Sequence, residues 1–444
     1  MTDRPPFTIK VDQNPYLGAG GHEMHAVVTV ESDGGAGPAA AAPRAAEVII
    51  IDASGSMSYG GKMGAAKRAA DAALRVIRDG VRFAVIAGAN SPRMVYPAGG
   101  ERTAVMDGRH RANAIAAVAR LEASGGTAIG SWLRLADRLL TSGTDEAGEA
   151  AGAAEVRHAI LLTDGKNQHE TPEELDAALR ACEGHFGCDA RGVGTDWDVS
   201  ELRKITSVLL GGFLDVPDPA DLEDDFRRMT EDAMGKHVAA LALRVWTPQN
   251  GRLRFVKQMV PTVEDLTDRR VDKGQIGDYP LGAWGAESRE YHLCVDVPPG
   301  DVGRQGRAAW VKLVAPDAGE ELAHANVLVE WTDDEALSTR INARVAHHTG
   351  QSELADAIQE GLAARRDGDD ERATARLGRA VALAEQVGNS EISDLLGRMV
   401  DVDHENGTVR LKKDVAVADE MSLDTRSVRT VRTRQNDEAS GTGA

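Results

Sequence analysis

Cysteine is nearly absent from the 444-residue chain: Cys182, Cys188 and Cys294 are the only three. An odd, small number cannot form a disulfide framework and suits a reducing compartment. Aromatic residues make up 4%, so the cores must be built from Val, Leu, Ile and Ala. No apolar run approaches the roughly 20 residues that span a bilayer. The opening Met1-Thr2-Asp3-Arg4-Pro5-Pro6 has no basic stretch followed by an apolar one, so no secretory leader is read there and a cytoplasmic location is expected. Positive charge is in deficit. Lys and Arg number 51 against 70 Asp and Glu, a net charge of −19, which argues against nucleic acid or an anionic membrane as partner. No Gly-x-x-x-x-Gly-Lys phosphate loop and no Gly-x-Ser-x-Gly elbow occur, so neither ATP hydrolysis nor hydrolase chemistry of that type is expected. What is present is enough apolar material for real cores, 42% of residues, and a length of two to four domains at roughly 150 residues each.

Short apolar runs alternate with helical patterns over the first half. Val48–Ile51, Phe83–Ile86 and Ala159–Leu162 read as strands buried on both faces, and Cys188–Val193 as a further strand. Helices are expected over Lys62–Arg78, Ala112–Leu121, Ile129–Leu140 and Asp221–Met234, and Thr171-Pro172-Glu173-Glu174 is a helix start. This alternation is the arithmetic of a doubly wound, mostly parallel Rossmann-like α/β domain over 45–235. The Gly/Ala/Pro stretch Gly34–Pro43 reads as a linker and Thr141–Ala154 as a mobile loop. From Lys236 the pattern becomes β-type (Val238–Trp246, Arg252–Val260, Glu290–Val297, Ala308–Val314, Ala325–Trp331), an antiparallel sandwich over 236–333. The strand-like stretch 24–31 has the same character. Residues 1–33 are therefore assigned to the sandwich, with the α/β domain inserted into it. Leu354, Ile358 and Leu362, then Leu377 and Val381, mark amphipathic helices of a hairpin over 334–402. The polar tail 403–444 reads as disordered.

Three stretches carry chemistry. Asp52-Ala53-Ser54-Gly55-Ser56 follows a buried strand immediately, Ser124-Gly-Gly-Thr127 opens a helix after a glycine turn, and Thr163-Asp164-Gly165 ends a second buried strand. Ligands of open α/β sheets bind outside the carboxyl ends of the strands, where these loops converge. Two carboxylates and three hydroxyls, without His or Cys, suit a hard cation: Mg2+, with Mn2+ or Ca2+ as alternatives. Neutral hydroxyl ligands leave much of its charge uncompensated, so the ion can still accept an external carboxylate.

Asp52-x-Ser54-x-Ser56, with Thr127 and Asp164 downstream, resembles the metal-ion-dependent adhesion site (MIDAS) of von Willebrand factor A (vWA) domains, over roughly residues 45–235. Gly192-Val-Gly-Thr-Asp-Trp197 also looks like a stretch following a late strand in that family, and the wider layout is similar to bacterial cytosolic members with a vWA domain set in a β-sandwich. The resemblance implies that Ser54, Ser56 and Thr127 offer hydroxyls to the ion. It implies that Asp52 and Asp164 act through water or by holding the hydroxyls, and that an Asp or Glu of a protein partner completes the octahedron. The implied role is non-enzymatic, metal-dependent protein binding.

A second reading is an adaptor for an ATPase, or a scaffold in Ser/Thr-kinase signalling. In the latter, Thr425, Thr430 and Thr433 would be phosphorylated, Thr425-Arg-Ser-Val428 resembling motifs read by forkhead-associated domains. A phosphatase with Asp52 as nucleophile lacks a second Asp at position 54. His22-Glu23-Met24-His25 has the wrong spacing for a zinc helix motif and reads as surface. Cys182-x-x-His185-x-x-Cys188 lacks a fourth ligand and reads as buried thiols. His347-His348 reads as a solvated helix end.

Overall fold

The computed structural model describes residues 7–34, 44–141, 156–316, 319–403 and 408–430. Residues 35–43 and 142–155, which hold most of the expected linker and mobile loop, lie outside the described residues, as does Thr433.

The strand Ala45–Asp52 lies at the centre of a seven-stranded sheet. Its parallel neighbours are Arg82–Gly88 on one side and Val156–Thr163 on the other. Gly187–Val193 and Phe213–Val216 extend the sheet in parallel beyond the latter. Arg93–Tyr96 and Ala104–Val105 pair antiparallel with Arg82–Gly88. All eight residues of the central strand are buried. Val48 and Ile50 pack with Trp132 and Leu133 of the helix Ile129–Thr141, while Ile49 and Ile51 pack with alanines of Lys62–Val76 and with Phe226 of Leu222–Met234. A continuous apolar run is what burial on both faces of a parallel sheet requires. The order in which strands are added reverses at Ala45–Asp52. Its successor in the chain, Arg82–Gly88, lies on one side, and the strands from Val156 onward lie on the other. The crevice beyond Asp52 is therefore a topological switch point.

Two further sheets enclose a second core. One runs Phe7–Gln13, Glu23–Ser32, Glu287–Asp296, Arg252–Val260 and Glu264–Asp265. The other is six-stranded and includes Val238–Trp246, Ile276–Trp284, Gln305–Ala315 and Glu320–Thr332. Met24, Ala26, Val28 and Val30 point into this core with Leu293 and Val295. The strand period of two turns Glu23 and His25 the other way.

The helices Ala343–Arg366, Asp370–Val387 and Ser390–Met399 share a third core, and Leu423 is part of it. This corrects the expectation of a disordered tail from residue 403. Val400–Asp403 and Thr408–Leu411 form a hairpin, and Val417–Arg426 is a helix. The helix is stabilised mainly by buried polar contacts, which a search for apolar periodicity does not register. Asp424 accepts from Arg203 at 2.7 Å, Gln359 at 2.9 Å and Arg366 at 3.1 Å, and Ser422 donates to Asp215 at 2.6 Å. Just beyond it, the Val263 N–H donates to the Val428 carbonyl at 2.6 Å. This segment therefore bonds to all three parts of the chain: Arg203 and Asp215, Gln359 and Arg366, and Val263. His348 also departs from expectation: it is buried and bonded to Glu290 at 2.5 Å.

Candidate metal site

Asp52 is the last residue of the central strand and is fully buried. Its Oδ1 accepts the Ser54 N–H at 2.7 Å and its Oδ2 accepts the Thr163 hydroxyl at 2.6 Å, so both oxygens are fixed from within the protein. Burial pushes this carboxyl above its ordinary pKa. The Ser54 and Thr163 hydrogen bonds oppose that rise, and the charge of Asp164 adds to it.

The Ser54 and Ser56 hydroxyls stand 3.0 Å apart, and Ser56 donates to Asp164 Oδ1 at 2.7 Å. The loop carrying Thr127 is clipped to the first loop by backbone bonds, Gly55 N–H to Gly125 O at 2.9 Å and Ser124 N–H to Ala53 O at 2.6 Å. Thr127 is held on its other side by the loop after Asp164. The Gln168 and His169 N–H groups donate to its carbonyl, and its own N–H donates to His169 Nδ1 at 3.2 Å. The helix Ile129–Thr141 that follows has its first amides capped by Asn167 and by Glu170, whose carboxylate accepts from Gly130 and Ser131 at 2.7 Å each.

The three loops meet at Gly165. A Cβ there would stand 3.4 Å from the Thr127 hydroxyl oxygen and 3.6 Å from that of Ser56. The missing side chain thus leaves a small oxygen-lined cradle beside Asp164. Ser56 and Thr127 border this cradle, Ser54 and Asp164 bond to Ser56, and Asp52 joins through the Ser54 amide.

Sequence reasoning missed Lys62. Its ammonium donates to Asp164 Oδ2 at 2.8 Å and to Asp196 Oδ2 at 3.3 Å, with the side chain only 13% exposed. Gly194 makes room for it, since a Cβ there would meet Lys62 Cε at 3.2 Å. Burial works against the charge on Lys62, but Asp164 and then Asp196 outweigh it and hold its pKa above the ordinary value. A cation thus already compensates Asp164, and a divalent ion that draws on this carboxylate shares it with Lys62. The oxygen-only donor set and the cradle fit a hard divalent ion. Thr163 was also missed, although strand alternation after Leu162 turns it toward Asp52. Gly60-Gly61 ahead of a helix was the only signal for Lys62.

The other sequence candidates separate from this site. Thr425 is 1% exposed inside the C-terminal helix, so it does not lie on a free tail, and Thr430 donates its hydroxyl to Pro261 O at 3.1 Å. Cys182 and Cys188 are buried, and burial pushes the Cys182 thiol up to about 12, while His185 bonds to Asp137 at 2.8 Å. His25 does not sit alone on the surface; it meets Cys294 and His292.

A switch-point crevice lined with hydroxyls and carboxylates, in an open α/β sheet, defines a class of ligand-binding α/β domain. Comparison with known proteins places the chain within that class. Residues 46–214 match the family model described as the von Willebrand factor type A domain, and 382–427 match the von Willebrand factor type A C-terminal domain. The solved von Willebrand factor type A protein from Catenulispora acidiphila is 47% identical, covers 97% of this chain and 98% of its own, and superposes with a TM-score of 0.89. The chain belongs to the von Willebrand factor type A family. The second match accounts for the folded C-terminal helix. The ArnB paralog VWA2 from Sulfolobus acidocaldarius shares the fold over 95% of this chain and 97% of its own, at 14% identity and a TM-score of 0.53. The uncharacterized protein sll0103 of Synechocystis is 27% identical over 238 residues, 53% of this chain; the chain spans about half, 52%, of that curated relative. Domains of this family are typically protein-interaction modules and generally not enzymes. Among the described residues no helix is long and apolar enough to cross a membrane.

Proposed function

We propose that the oxygens of Ser54, Ser56 and Thr127, backed by Asp52 and Asp164, hold one divalent cation, Mg2+ first, with Mn2+ or Ca2+ able to replace it. Through that ion the chain captures an Asp or Glu carboxylate of a protein partner. The observation that carries this reading is the convergence of two hydroxyls on the side-chain-free position at Gly165, next to a fully buried Asp164. The charge count supports the choice of an acidic partner. Among the buried groups Asp52 and Asp164 contribute −2, Lys62 contributes +1 and the ion +2, a sum of +1 that only the exposed, solvent-screened Asp196 beside Lys62 offsets, so the loaded centre favours an incoming anion. Lys62 acts as a tethered cation that neutralises Asp164 before the metal arrives. When bound, the ion supplies a Lewis-acidic coordination point for the partner carboxylate. The protein fixes its donors: Thr163 and the Ser54 amide orient Asp52, and Asn167, His169 and Glu170 fix the Thr127 loop.

Pull-down with the full chain in Mg2+ and in EDTA tests the reading. Partners should be captured in Mg2+, lost in EDTA, and lost from a Ser54→Ala/Ser56→Ala variant that retains its circular dichroism spectrum. Equal capture in EDTA contradicts it. A kinase-scaffold reading through Thr425 is disfavoured by the burial of that hydroxyl.

A further inference from the structure

The outward face of the five-stranded sheet carries a second group of ligand-type side chains, with a different chemistry. Glu23 and His25 are two apart on one strand and share a face. His25 is paired directly with Cys294 on the neighbouring antiparallel strand, and Glu23 with Asp296. His25 Nε2 lies 2.8 Å from Glu23 Oε1 and 3.8 Å from Cys294 Sγ, and the three ligand atoms lie within 4.8 Å of one another. Among the described residues this is the one group of three or more His, Cys, Asp or Glu that meets that spacing.

We infer that Glu23, His25 and Cys294 form a binding site for one Zn2+ ion, distinct from the oxygen-lined crevice. The mixed O, N and S donor set is that of zinc, not of a hard cation. With bonds of about 2.3 Å to sulfur and about 2.0–2.1 Å to nitrogen, a tetrahedral ion separates S from N by about 3.6 Å, close to the spacing of His25 and Cys294. Glu23 must draw back from His25 by about 0.5 Å to reach its tetrahedral separation.

The surroundings orient these ligands. His25 Nδ1 faces His292 Nε2 at 3.0 Å. A neutral His292 can accept the Nδ1–H of His25, which leaves Nε2 free for the metal, the arrangement common to metal-bound histidines. Arg254 pairs with Glu23 Oε2 and leaves Oε1 toward His25. Phe255 forms an apolar wall, its ring centroid 6.0 Å from His25 and 5.1 Å from His292. Cys294 is 1% exposed, whereas the Glu23 and His25 side chains are 39% and 31% exposed. The ion therefore enters from the Glu23 side, and water takes its fourth position. Cys294 binds as a thiolate, so each ion that enters releases the thiol proton to solvent.

The test is titration of the EDTA-treated full chain with Co2+, followed by absorbance, and then displacement by Zn2+. The expected result is a thiolate-to-Co2+ charge-transfer band that saturates at one ion per chain and is abolished by Zn2+. The band should be absent in Cys294→Ser, which should still bind Mg2+ as wild type does. In Glu23→Gln, an isosteric change at a side chain 39% exposed, it should saturate only at a tenfold or higher Co2+ concentration. It should persist in Ser54→Ala/Ser56→Ala, since the crevice has no thiol. No band in the folded wild type, a band that survives Cys294→Ser, or unchanged affinity in Glu23→Gln would each overturn the assignment.

Discussion

Replacing Lys62 by Met isolates the electrostatics of the crevice. The ammonium is 2.8 Å from Asp164 Oδ2 and 13% exposed. A hydrogen bond between charged groups in such a setting contributes about 1.5–3 kcal/mol net. A divalent ion that draws on Asp164 must compete with that interaction and sit near a like charge. At about 1.4 kcal/mol per tenfold, removing the ammonium should raise Mg2+ affinity roughly 10- to 100-fold. The metal-free variant should at the same time lose stability by a similar amount, because Asp164 is fully buried and, among the described residues, keeps the Ser56 hydroxyl as its side-chain hydrogen-bond partner. Saturating Mg2+ should restore its melting temperature. Calorimetric titration gives the affinity, and thermal unfolding with and without Mg2+ gives the stability. Equal or weaker Mg2+ binding by Lys62→Met would refute the reasoning, since it would mean that the lysine and the ion do not share Asp164.

Other outcomes follow from the same geometry. Gly165→Ala places a methyl 3.4 Å and 3.6 Å from the Thr127 and Ser56 oxygens, so it should weaken Mg2+ binding in calorimetry while shifting the urea midpoint by no more than about 1 kcal/mol equivalent. Asp424→Ala strips a buried carboxylate from Arg203, Gln359 and Arg366 and should cost about 3 kcal/mol in urea unfolding; a change below about 0.5 kcal/mol would contradict the role given to the C-terminal helix. His158 lies between Glu47 at 3.0 Å and Asp189 at 3.1 Å. Burial alone would lower its pKa, but those carboxylates raise it from 6.5 to about 10. Its stabilisation is therefore complete below about pH 6.5 and fades as pH rises toward 10. The stability gap between wild type and His158→Gln, about 3–5 kcal/mol at pH 6, should narrow steadily to pH 10, and a pH-independent gap would contradict the pairing.

The sequence pattern revealed those features whose causes are local. Val48–Ile51 is apolar throughout because both faces of its strand are covered, and an acid or hydroxyl directly after such a strand can only lie at the sheet edge. That made Asp52, Ser54, Ser56 and Asp164 readable, and the glycine turn before Thr127 did the same for that hydroxyl. What could not be read depends on partners far apart in the chain. Cys294 meets His25 across 269 positions, so His22-Glu23-Met24-His25 read as plain surface. The helix Val417–Arg426 has a weak apolar stripe and is secured by Arg203 and Asp215, about 200 positions earlier, so its composition read as disorder. The helix Gly108–Ala119 begins before its apolar pattern does because Asp107 caps it by accepting the His110 N–H at 2.6 Å.

The central claim is that five side chains from three loops gather one divalent ion, and Thr127 tests it most cleanly. Its backbone bonds to His169 and Gln168 survive loss of the side chain, so Thr127→Ala should keep the loop in place. Calorimetric titration of wild type and Thr127→Ala with Mg2+ should show one ion per chain in the former and affinity at least about tenfold weaker in the latter. Identical isotherms, or no Mg2+ binding by the folded wild type, would contradict the account.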